Sequence, residues 1–149
     1  RQKNMKKYIN TAFIYAAAAM AGGVFYREFT KWNGYLGVTM LGKVHTHLFL
    51  LGMFLFLIVA LFAGRMQLEE DKLFHRFFYI YNGGVILTAV MMLVHGTLQV
   101  LHVELSKGAE ASISGIAGIG HILTGTGVVM LLLSLRKHAE DLRNDREEQ

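Results

Sequence analysis

Residues Val44–Gly64, VHTHLFLLGMFLFLIVALFAG, decide the fold. No acidic or basic side chain interrupts this stretch, and most of its positions are Leu, Phe, Val or Ile. A helix rising ~1.5 Å per residue crosses the ~30 Å hydrocarbon layer of a bilayer in about 20 residues. The stretch therefore reads as one membrane span. Three further stretches lack acidic and basic residues in the same way: Tyr8–Tyr26, Phe77–Val103 and Ala111–Leu135.

The expected architecture is all-α, an integral membrane four-helix up-down bundle. It forms one transmembrane domain over residues 1–149, with spans at about 8–26, 38–64, 77–103 and 112–135 and a charged tail over 136–149. Composition agrees: 53% of the 149 residues are hydrophobic and only 17% charged, far from the balance of a soluble domain. The first apolar run is longer than the ~7–15 residues of a signal-peptide core, which favours a retained span. Met5 opens the string MKKYIN as a natural start would, with Arg1–Asn4 ahead of it.

The chain has no proline and no cysteine. Without proline no helix-breaking kink is expected, and without cysteine there is no disulfide, thiolate-held cluster or covalent c-type haem attachment. The net charge of +4 reports orientation, not nucleic-acid binding. Eleven of the fifteen Lys and Arg residues precede span 1, join spans 2 and 3, or follow span 4. Only Arg27, Lys31, Lys43 and Lys107 lie on the other side. The positive-inside rule then places both termini in the cytoplasm of a bacterial cell membrane.

The connections Arg27–Lys43, Arg65–Arg76 and Glu104–Glu110 are short, so consecutive helices are antiparallel neighbours. The first is expected to be partly helical, and the tail from His138 to extend the last helix. Span 4 carries Gly115, Gly118, Gly120, Gly125 and Gly127 among small Ser, Ala and Thr residues. These either let helices approach closely or clear room for a flat macrocycle.

Five of the seven histidines, His45, His47, His95, His102 and His121, sit in or beside the apolar stretches. An ionisable group in hydrocarbon costs roughly 2.5 kcal/mol or more, and it usually has a partner and a task. The topology places all five toward the outer face. His45, His47, His95 and His121 fall about 10 Å below the outer ends of three helices. His102 is expected two turns above His95 on the same helical face. Residues i and i+2 on a helix point about 200° apart, so His45 and His47 address different neighbours.

Imidazole is the commonest ligand for haem iron and transition metals. A structural zinc site would converge three or four ligands, often thiolates, whereas a haem needs one or two axial imidazoles and an apolar slot. Phe49, Met53, Phe54, Phe56, Met91 and Met92 are candidate walls for that slot. Arg27 and Lys43 are candidate partners for the propionates, although Lys43 also sits where it would snorkel to the interface. The expected cofactor is therefore haem b, held by His45, His47, His95 or His121, with His47 and either His121 or His95 as the first axial pair. The alternative is copper or zinc on the same histidines, with Met53, Met91 and Met92 as soft donors for Cu(I). A third reading has the histidines merely tying helices together.

The segment Val44-His45-Thr46-His47-Leu48-Phe49-Leu50-Leu51-Gly52 resembles the His-x-His helix of haem-copper oxidase subunit I. Alternate histidines there bind two different haems. Nearly the whole chain also resembles a small family of four-span bacterial membrane proteins, a domain of unknown function. The pieces that carry this are Gly22-Gly23-Val24-Phe25-Tyr26-Arg27-Glu28-Phe29, the His-Thr-His segment, and Ser112-Ile113-Ser114-Gly115-Ile116-Ala117-Gly118-Ile119-Gly120-His121. The resemblance to one four-helix arc of the oxidase implies haem ligation by His45 and His47 and assembly as a homotrimer or another homo-oligomer. The chain lacks an adjacent His-His pair, a His-Tyr crosslink pattern and acid-lined proton channels, so oxygen reduction with proton pumping does not follow. What remains is electron transfer, with a redox partner the sequence does not name, or binding of a diatomic gas such as O2 or NO.

Overall fold

The computed structural model describes residues 2–147. Four long helices form: α1 (Gln2–Trp32), α2 (Leu41–Ala63), α3 (Lys72–Val100) and α4 (Lys107–Glu147). All four are long and apolar enough to cross a membrane. Two of them run well past the apolar stretches that announce them. α1 continues through the charged Arg27–Lys31 segment, and α4 carries the basic tail as helix to Glu147.

Each helix end has a local cause. α1 closes on Gly34 in the left-handed region (φ 60), with the Asn33 side chain donating to the Phe29 carbonyl. Thr39 starts α2: its hydroxyl accepts from the Leu41 amide and donates to the Gly96 carbonyl of α3. Asp71 caps α3 by accepting from the Leu73 amide at 2.9 Å, and Ser106 caps α4 through the Ala109 amide. α3 ends at Val100, not at Val103, because His102 adopts φ 53 and its amide turns back to the Gln99 carbonyl. The expectation that His102 stands two turns above His95 on one helical face is therefore wrong. It lies in the closing turn, exposed, with its ring 5.5 Å from Tyr35.

The absence of proline does not keep α2 regular. Leu48–Phe54 is wound as a π-helix between the α-helical turns Leu41–His47 and Leu55–Ala63. Such widened turns free backbone carbonyls and collect at functional sites. Here the Tyr81 hydroxyl of α3 donates to the Leu51 carbonyl, and the Tyr15 ring of α1 packs directly on Gly52, where any side chain would collide with it.

The helices pack in chain order, α1 on α2, α2 on α3, and most extensively α3 on α4. α1 and α4 share no substantial interface. Glycines set the closest approaches: a Cβ on Gly84 would sit 2.5 Å from the Thr124 amide nitrogen, and one on Gly120 2.5 Å from the Thr88 hydroxyl. The core lies toward the basic end, where Tyr8, Phe56, Phe74, Phe77 and Tyr81 are all buried and in edge or tilted contact. Tyr8 donates to Glu69 at 2.7 Å, and Tyr15 donates to Asn82. Both bonds tie α1 across to the α2–α3 connection and α3.

Candidate functional site at the histidine end

The histidines divide as the 200° argument requires. His45 turns toward α1, with its Cβ and ring lying over Gly23. His47 turns the other way, into a cavity of about 270 Å³ between α2, α3 and α4. His95 of α3 and His121 of α4 line the same cavity, together with Lys43 from α2. Met40, Met91 and Met92 supply the soft walls, and Ile113, Ser114 and Ala117 the α4 side. Three of the four candidate ligands thus line one cavity, and His45 stands apart from them.

Hydrogen bonds settle which ring nitrogen is free. Nδ1 of His47 lies 2.9 Å from the Lys43 carbonyl, and Nδ1 of His121 lies 2.7 Å from the Ala117 carbonyl. A carbonyl oxygen can only accept, so each Nδ1 carries the hydrogen. That leaves Nε2 as the nitrogen through which either imidazole would bind a metal, with the carbonyl as the outer partner that orients the ring. His95 has no such bond. His45 is different again: its Nδ1 is buried without any hydrogen-bond partner. Such an orphan costs ~1–3 kcal/mol.

Lys43 is the one charged side chain on the cavity wall, and no carboxylate lines it. An anionic group entering beside the imidazoles would meet a cation and no repulsion. Arg27 does not reach the cavity: its side chain is 82% exposed and approaches only Glu28, at 4.0 Å. Of the expected slot walls, Met91 and Met92 line the cavity, while Phe49, Met53, Phe54 and Phe56 do not. Among the described residues, no three His, Asp or Glu side chains come together to hold one metal ion.

A second polar cluster, at the basic end, has no counterpart in the sequence reading. Asp71 accepts from the Ser134 hydroxyl at 2.7 Å, and His138 Nδ1 lies 3.7 Å from the same carboxylate while bonding the Ser134 carbonyl. Burial pushes the Asp71 pKa up. The bonds from Ser134 and the Leu73 amide, with Lys137 and His138 nearby, outweigh it and hold the pKa below the ordinary value. The separation of 63 positions between Asp71 and Ser134 hides this contact from any local pattern.

The fold and the site define a class: a four-helix membrane-spanning protein with paired imidazoles near one end of the bundle. Residues 5–138 match the family model described as a protein of unknown function (DUF2871), and the chain belongs to that family. No curated protein and no solved structure matches it. The comparisons do not show the expected resemblance to haem-copper oxidase subunit I.

Proposed function

We propose that this protein binds haem b in the cavity between α2, α3 and α4, as an electron-transfer or diatomic-gas-binding protein of the bacterial cell membrane. The observation that carries this reading is the pair of imidazoles, His47 and His121, each locked through Nδ1 with Nε2 free in one cavity. They are the residues that would hold the haem iron. His95, on the α3 wall of the same cavity and without an Nδ1 bond, is the replacement for either one. Lys43 is the partner for a propionate, in place of Arg27.

The donor set fits the group. Two imidazoles would satisfy a haem, and Met91, Met92 and Ile113 would give it apolar walls on the α3 and α4 sides. When bound, haem would supply one-electron chemistry and an iron centre; the chain's own residues would orient the imidazole rings through their Nδ1 bonds and, at Lys43, neutralise one acid group. By the positive-inside rule the basic end, with both termini, faces the cytoplasm and the haem lies in the outer half of the bilayer.

An absorption spectrum of the purified protein tests the reading. The expected result is a Soret band that shifts on dithionite reduction and is lost in His47→Ala and in His121→Ala. A colourless protein, grown with haem supplied, overturns it. The methionines favour one second reading. Met40, Met91 and Met92 beside two free Nε2 lone pairs also make a soft donor set for Cu(I). Stoichiometric copper by elemental analysis in a colourless protein would select it.

A further inference from the structure

The histidine cavity has three walls. In a closed square bundle the fourth would come from α1, but α1 packs on α2 and makes no substantial interface with α4. The open side exposes His121 and Ser114 to the surroundings, with Gly118 between them and nothing within 4 Å of where its Cβ would be. At this depth the surroundings are lipid. Polar and ionisable side chains in membranes face protein or water, not acyl chains, and small residues mark helix contacts.

The chain has one other free edge, the outward face of α1. It carries large residues where α4 carries small ones: Met20 and Val24 are 58% and 63% exposed, and a groove of about 500 Å³ runs beside them to Trp32. Depth brings the two edges into register. Gly23 of α1 lies against His45, while His47 shares its cavity with His121, so Val24 and Gly118 stand within about one helical turn of the same level. Two copies inserted with the same orientation keep those levels. One turn or two further out, Lys31 of α1 and Glu110 of α4 are both exposed, and neither has an ion-pair partner among the described residues.

We propose that α1 of a second copy of this chain docks against the Ser114–Gly118–His121 edge of α4, supplies the missing wall of the histidine cavity, and pairs its Lys31 with Glu110. The contact joins two different faces, so it repeats head to tail and closes into a ring or runs on. It stands whether the cavity holds haem, copper or neither.

The chain has no cysteine, which makes the test direct. Val24→Cys and Gly118→Cys are placed together in one chain and treated with a short bis-maleimide in intact membranes. The expected result is a ladder of covalent dimers and larger species from the double variant and none from either single variant. Lys31→Glu should cut the yield several-fold, and Lys31→Glu with Glu110→Lys should restore it. No ladder from the double variant overturns the proposal, as do dimers from Gly118→Cys alone, which would mean α4 against α4. The readout is crosslinking, so a protein that forms the ladder but carries no haem upholds the docking and overturns only the cofactor.

Discussion

The two ends of this bundle are put together on opposite terms. At the basic end every polar ornament is matched: Tyr8 with Glu69, Tyr15 with Asn82, Tyr81 with the Leu51 carbonyl, and Asp71 with Ser134 and the Leu73 amide. The aromatic core fills the space between. At the histidine end Thr39 still ties α2 to the Gly96 carbonyl of α3, but the helices leave the 270 Å³ cavity and an apolar groove of about 680 Å³ between α1, α2 and α3. The buried side-chain atoms without partners, His45 Nδ1 and the Thr88 hydroxyl, both lie away from the basic-end ties. The contrast teaches where stability is held and where a ligand would act. One end stabilises the fold, and the other leaves donors unspent.

If that division is right, the largest losses of stability come from the basic end. Asp71→Ala removes a helix cap and orphans the buried Ser134 hydroxyl, which together cost about 2–4 kcal/mol and lower the melting temperature in detergent accordingly. A melt of Asp71→Ala that matches the parent chain would break the comparison. Gly84→Ala drives a methyl into the Thr124 backbone and costs about 1–3 kcal/mol, whereas Gly118→Ala, facing open space, stays within ~0.5 kcal/mol in a chain kept monomeric by dilution. Equal effects at the two glycines would place α4 differently.

Acid should act at the same end. Asp71 has a folded pKa below its unfolded one, so its contribution is complete above ~4, the ordinary Asp value, and is lost as pH falls below that. Asp71→Asn should flatten that acid limb of the stability profile, and an unchanged limb would assign it to other carboxylates. Tyr15→Phe, which gives up one bond to Asn82, should cost about 1 kcal/mol. The smallest effect has the opposite sign. His45→Leu removes an orphaned polar atom and should leave stability unchanged or raise it by up to ~1 kcal/mol. A clear loss there would show that His45 has a partner in the assembled protein.

Much of this was legible in the residues. Val44–Gly64 marks its helix to within a few residues because hydrocarbon tolerates no charge, and the i, i+2 spacing of His45 and His47 sends them to opposite faces by helical geometry alone. The convergence of His47, His95 and His121 follows from topology once three spans are oriented. Other features carry no local signal. A π-turn arises from the fit of Tyr15 on Gly52 and Tyr81 on Leu51, contacts between helices that no single segment encodes. Arg27 looked like a ligand partner from its depth, yet depth does not fix azimuth, and it points away. The Asp71–Ser134–His138 cluster joins parts of the chain that are adjacent only in three dimensions.

The π-helical stretch Leu48–Phe54 acts as a phase adjuster between these two ends. An α-helix turns 100° per residue, and a π-turn absorbs one extra residue without lengthening the regular parts on either side. Rewinding the same residues as ordinary α-helix, with nothing deleted, would rotate His45 and His47 by about 100° relative to the buried face of Phe56, Val59, Ala60 and Ala63. The aromatic end would still pack, and the imidazoles would aim at the wrong neighbours.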